Sequence, residues 1–216
     1  MAKFPEPPTA DDLRAIGPEI HMLRASAPLG RIFFRGGMHP ASWDEFRFWG
    51  PGQSRYDPHL PDAAGRPTLG PRGVLYAAGA ASPGALAVCL AEVFQETRII
   101  DTTDRAPWFV VFKTVRDMSL LDMRGLWPTR AGASAAINSG AKSRARRWAR
   151  LIYDVWPHLD GIIYSSSMGG NSDAVALFER AASAIPASPL FHRPLTDPSL
   201  SSPLLAAAGT INYGIL

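Results

Sequence analysis

Nineteen consecutive residues, Gly73 to Ala91, carry no charge, and this run constrains the chain more than any other stretch. Its length approaches that of a membrane-spanning helix. Ser82-Pro83-Gly84 breaks it at the middle, however, and Val74-Leu75-Tyr76 before the break reads as a strand. Strand, turn and buried helix is the reading that follows. Ser82 serves as N-cap and Pro83 takes the first helical position. Leu86, Cys89, Leu90, Val93 and Phe94 then fall at i, i+3, i+4, i+7 and i+8, a full apolar stripe. Glu92 lies about 120° from the centre of that stripe at about 100° per residue, so it edges a cleft or faces water.

The same reasoning divides the rest of the chain. Arg31 to Arg35 reads as a strand, with Ile32 and Phe34 on one face and Phe33 on the other. Ser42, with Glu45 three residues on, opens a short helix. Gly50 to Gly73 holds five prolines and reads as a long loop, a type that is usually functional or disordered. Arg55 within it favours function. Trp108–Val115 and Met118–Met123 read as strands, Ala133–Ile137 as a short helix and Lys142–Trp156 as a stronger one. Gly161–Ser165 is a further strand and Met168–Asp173 a turn. Ala174–Arg180 is helix by composition. Residues 1–29 form an extension with one or two short helices, begun at Asp11-Asp12 and Pro18-Glu19. Residues 30–216 form the main domain, with the tail from Pro186 lying on its core.

Charge and residue usage narrow the function. The net charge is +3, and the one dense cationic cluster is Lys142, Arg144, Arg146, Arg147 and Arg150, read as a solvated helical face. That distribution gives no reason to expect nucleic-acid binding. A single cysteine, Cys89, excludes an internal disulfide and fits a reducing, cytoplasmic setting. Met1-Ala2-Lys3-Phe4-Pro5 lacks the apolar core of a signal peptide. The five histidines are scattered with no zinc-ligand spacing, and no Gly-x-Gly-x-x-Gly, P-loop or Gly-x-Ser-x-Gly pattern occurs. No metal and no resident cofactor are expected.

Five short motifs in order carry a resemblance. They are Arg31-Ile32-Phe33; Arg55-Tyr56-Asp57-Pro58; Val74-Leu75-Tyr76-Ala77-Ala78; the helix holding Leu90-Ala91-Glu92-Val93-Phe94; and Gly161-Ile162-Ile163-Tyr164-Ser165-Ser166. Together they resemble the RES family, named for its Arg, Glu and Ser, whose members act on NAD. The resemblance spans about Gly30 to Arg180. It implies an α/β or α+β fold, with a small twisted central sheet flanked by helices and a topology related to ADP-ribosyltransferases. By resemblance Ala174–Arg180 is a strand, against its composition.

The resemblance also implies roles. Glu92 would face the ribose, and Arg31 and Arg55 would hold the phosphates, where guanidinium forks match phosphate oxygens. Arg35 is the alternative to Arg31. Tyr76 would lie against the nicotinamide, with Tyr56 sharing the aromatic role. Ser166, with Ser165 and Ser167 as alternatives, would offer a hydroxyl. Ser167 stands where the family often carries arginine, and Asn171 and Asp173 match a polar family position only approximately.

The implied activity is cleavage of the nicotinamide–ribose bond of NAD, by a toxin of a toxin–antitoxin pair. The ADP-ribose acceptor would be water, phosphate or a protein side chain. The implied partner is an antitoxin with a helix-turn-helix or helical domain, in a homo- or hetero-oligomer. The alternatives are an ADP-ribosyltransferase acting on a protein and a non-catalytic NAD-binding module.

Overall fold

Thr9 caps the first helix, α1 (Ala10–Ile16), its hydroxyl accepting from the Asp12 N–H at 3.2 Å. The computed structural model describes residues 4–80 and 84–216, so the expected cap at Ser82 and Pro83 lies outside the described residues. After α1 come β1 (Ile20–Leu23), β2 (Pro28–Phe34), β3 (Arg47–Gly50), β4 (Thr68–Gly79) and α2 (Ala85–Val93). β5 (Ile99–Ile100), β6 (Pro107–Lys113) and β7 (Met118–Asp122) lead to α3 (Trp127–Arg130) and α4 (Lys142–Val155). β8 (Gly161–Ser165), β9 (Asp173–Phe178), β10 (Phe191–Pro194), α5 (Ser201–Ile211) and β11 (Gly214–Ile215) complete the order.

The fold is mixed α/β, with a central mixed sheet flanked by helices. Nine strands form that sheet in the order β1-β7-β8-β9-β4-β2-β6-β10, with β3 also paired to β4. Among the described residues only β7 and β8 pair in parallel within it; β5 and β11 form a separate parallel pair. No helix among the described residues is long and apolar enough to cross a membrane.

Successive side chains of a strand point to opposite faces, and β4 shows what this builds. Leu75 and Ala77 face a cluster with Trp43, Phe46 and Phe112. Val74 and Tyr76 face the other side, where Trp127, Trp148, Ile152 and Trp156 pack. Further along that side, Ala78 meets a third cluster built from α2 and α5. β2 and β4 share register only at Leu29–Gly79 and Gly30–Ala78 and then part. Arg31 stands just past the parting.

Several expectations change. The Ser42–Glu45 helix is only a turn. Glu45 N–H still reaches the Ser42 carbonyl and the Ser42 N–H the Glu45 carboxylate, but Arg31 takes the carbonyls of Trp43 and Glu45. The second N-terminal helix is the strand β1, because Gly17, at φ 73°, ends α1 and Ile20–Leu23 pairs with β7. The long loop is shorter than Gly50–Gly73, since β4 already begins at Thr68 and pairs with β3. Ala133–Ile137 becomes a 3-10 turn at Ala135–Asn138. The one-sided stripe of α2 gives way to burial of every residue from Ala85 to Ala91, since α5 covers its outer side, and Val93 is exposed. Asp173–Phe178 is a strand, as the resemblance implied, followed by a 3-10 helix at Glu179–Ala184.

Gly161 shows how tightly β8 meets β9. A Cβ added there would lie 2.3 Å from the Ala176 carbonyl oxygen and 2.9 Å from the Leu177 Cα, both backbone atoms that cannot swing aside. Gly161→Ala should therefore destabilise the protein by about 1–3 kcal/mol or more, as overpacked cores do. Urea unfolding of the variant beside wild type, at unchanged m value, measures this.

Candidate functional site

A cleft of about 500 Å3 opens where β2 and β4 part. Its floor is Tyr76, Ala77 and Ala78 of β4 with Tyr164 of β8 and Ala174 of β9. One wall is α2 and the residues after it, with Cys89, Glu92 and Gln95. The other is the 53–55 loop together with Asn138 and Lys142. Arg31, Ile32 and Arg105 close the end beside β2.

Glu92 is the half-buried carboxylate of this cleft. It sits one residue from the end of α2, where the helix dipole disfavours negative charge. A hydrogen bond offsets that cost: the Ser166 hydroxyl donates to Glu92 Oε1 at 2.5 Å. Ser166 is itself fully buried, and its Oγ accepts from the Gly169 N–H at 2.8 Å. Glycine at 169 leaves room for this: a Cβ there would stand 3.0 Å from Ser166 Oγ and 2.9 Å from a Val88 methyl, so one of them would have to shift. The tight turn from Ser166 to Ser172 thus fixes the hydroxyl, and the hydroxyl fixes the carboxylate. Ser166 lies behind Glu92, while Ser167 lines the cleft.

The arginines are held by carbonyls. Arg31 Nη1 donates to the Trp43 carbonyl at 3.0 Å and to that of Glu45 at 3.3 Å. Its buried Nε has no hydrogen-bond partner among the described residues, and burial lowers its pKa to about 10. Arg55 Nη1 donates to the Gly140 carbonyl at 2.5 Å, which leaves the rest of its fork toward the cleft it lines. Arg35, the alternative to Arg31, is not part of the cleft; its guanidinium stacks 4.7 Å over the Trp108 ring.

The two tyrosines separate. Tyr76 lines the floor, and its hydroxyl donates to Asp57 Oδ1 at 2.9 Å and accepts from the Tyr56 N–H at 3.1 Å. Burial, then the Asp57 carboxylate, push this phenol well above its usual range, so it stays protonated. Tyr56 does not line the cleft, and its expected share in the aromatic role is corrected to a supporting one. It is fully buried, with its ring 4.8 Å from that of Tyr164 and its hydroxyl donating to Asn138 Oδ1 at 2.5 Å.

Asp57, fully buried, gathers the loop. It accepts from Arg47 at 2.6 Å, from the Gly52 N–H at 2.6 Å and from Tyr76. Of the residues that sequence reasoning missed, Lys142 lay within the cluster read as solvated, yet it reaches into the cleft and donates to Gln95 Oε1 at 3.4 Å. Tyr164 was visible as part of the Gly161–Ser166 motif. Gln53, Asn138 and Arg105 carried no signal. Among the described residues, no group of three His, Cys, Asp or Glu could hold a metal ion.

No family model matches the chain, and no curated protein does. Among solved structures, the chain is similar to one in the crystal structure of the M. tuberculosis MbcT-MbcA toxin-antitoxin complex. The TM-score is 0.58 at 16% identity, covering 91% of this chain and 96% of that one. At that identity the likeness is one of fold.

Cys89 borders the cleft but is buried, donating to the Gly30 carbonyl at 3.3 Å, and burial pushes its thiol up to about 12. The thiolate is the reactive form. A disulfide reagent at pH 8 should therefore leave the folded protein almost unmodified and titrate one thiol per chain in denaturant. Rapid modification of the folded protein would contradict the burial.

Proposed function

We propose that the protein cleaves the nicotinamide–ribose bond of NAD and acts as the toxin of a toxin–antitoxin pair. The observation that carries this is the Glu92 carboxylate, held at the cleft by the Ser166 hydroxyl, with Arg31 and Arg55 on the same cleft. The order of the RES-like motifs and the likeness in fold to a chain of a toxin–antitoxin complex support it.

The chemistry needs little else. Nicotinamide leaves as a neutral ring, its nitrogen taking the electron pair of the broken bond, so no proton donor is required. The ribosyl carbon gains oxocarbenium character, as in glycoside cleavage. A fixed carboxylate beside it stabilises that charge most in the transition state. Arg31 and Arg55 would take phosphate oxygens, and the Tyr76 ring would wall the nicotinamide. Water attacking the ribosyl carbon loses a proton and yields ADP-ribose; phosphate in its place yields a phosphorylated ADP-ribose.

Glu92→Gln keeps shape and hydrogen-bonding reach but removes the charge. Turnover of NAD should fall by about a hundred- to a thousandfold while NAD affinity and melting temperature change little. Mass analysis of products, with and without phosphate, identifies the acceptor. ADP-ribose attached to protein would move the reading to a transferase, and a fully active Glu92→Gln would remove Glu92 from the mechanism.

A second outcome is expected in cells. Expression of the wild-type chain alone should deplete NAD and stop growth, and expression of Glu92→Gln should do neither. Unchanged NAD and normal growth at high levels of folded wild-type protein would refute the toxin role.

A further inference from the structure

The basic cluster of α4 divides into two faces that the sequence does not distinguish. Arg144 and Arg147 share one carboxylate within the chain, that of Glu6. Arg147 binds Glu6 at 2.5 and 2.6 Å, Arg144 binds it at 3.2 Å, and Arg144 also donates to the Phe4 carbonyl. The hydrogen bond from Arg147 holds the Glu6 carboxyl below its usual range. A proline-rich segment with one carboxylate, Glu6, thus lies along one side of this helix, held also by its Phe4 and Pro5 carbonyls.

Lys142, Arg146 and Arg150 fall at i, i+4 and i+8 on a different side. Among the described residues none of the three has a carboxylate within ion-pair distance. Lys142 donates only to Gln95, and Arg146 only to the Ser54 carbonyl at 3.4 Å. Arg150 has a buried Nε with no partner. Burial, then the charges of Arg146, Arg147 and Arg72, depress its guanidinium. Eight residues of helix make a track about 12 Å long. It starts in the cleft wall at Lys142 and continues outside the cleft.

We infer that this track is a docking site for an extended acidic segment of a partner polypeptide, laid along α4 as Glu6 is laid along the other side and ending at the cleft mouth. Charge complementarity argues for such a partner. Substrate phosphates held in the cleft do not extend to Arg146 and Arg150, which lie outside it. A nucleic acid would call for a broader basic surface than one line of three cations on a chain of net charge +3. That a segment ending at the cleft mouth would obstruct substrate rests on the cleft being the NAD site; the docking itself does not.

The test uses the full chain and a fluorescein-labelled deca-glutamate peptide, read by anisotropy at low salt. Binding should weaken as salt rises and fall by about tenfold or more in Arg146→Gln/Arg150→Gln, as expected for two lost charge contacts. The control Arg144→Gln/Arg147→Gln should weaken it by a smaller factor, since those side chains point away from the track and share the Glu6 carboxylate. Melting curves identify any variant that fails to fold, and Arg146→Glu alone, at a half-exposed position, then supplies the reading by repelling the peptide. Absent binding, or equal binding to wild type and the open-face variants, overturns the inference. Tighter binding of a single-stranded RNA of equal charge, lost in the same variants, overturns it in favour of nucleic acid. Because the readout is binding, it stands or falls separately from NAD turnover.

Discussion

A buried carboxylate, Asp57, ties the candidate site to the sheet. Three donors converge on it: the Arg47 guanidinium, the Gly52 N–H and the Tyr76 hydroxyl. Through Gly52 it closes the proline-rich loop, and through Tyr76 it fastens that loop to β4. Arg55 reaches the cleft because its neighbours on both sides of the loop are fixed. Removing one partner of a buried ion pair typically costs about 3–5 kcal/mol, and the partial exposure of Arg47 reduces that figure here.

The opposite wall follows a different logic. Glu92 occupies a poor place for an anion, near the C-terminal end of a helix whose preceding residues are all buried. The Ser166 hydroxyl and the Gly169 N–H behind it compensate without neutralising the charge. An arginine in that position would have held the carboxylate as firmly but cancelled its field. A hydroxyl orients the group and leaves its negative charge available to the cleft.

Much of this was legible in the chain, for identifiable reasons. α4 is legible because the stripe of Trp148, Leu151, Ile152 and Val155 is a local signal, and β8 because Gly161–Ser165 is a short, largely apolar run. Glu92, Arg55, Arg31 and Tyr76 do meet in one cleft, as the order of short motifs implied. What could not be read depends on contacts distant in sequence. Ser42 and Glu45 have capping-box chemistry, yet Arg31 takes the carbonyls that a helix would need. The stripe of α2 read as one-sided, although residues 85–91 are apolar all round; which element covers the second side, α5, lies far off in the chain. Tyr56 and Tyr76 look alike in sequence, and only the positions of Asn138 and Asp57 send one into the core and the other to the cleft floor. Lys142 was hidden for the same reason among four arginines.

The two walls belong to different hydrophobic clusters. α4 packs with Trp127 and Trp156 on one part of the sheet, and α2 packs with α5 on another. Neither core sets the width of the cleft alone; the sheet beneath serves as their common ruler. Repacking inside either cluster can therefore proceed without changing the gap, provided the strands between them keep register. The gap is most sensitive at Gly30 and Ala78, the last pair before β2 and β4 diverge. The width of the cleft should thus depend most on two small residues that bear no chemistry of their own.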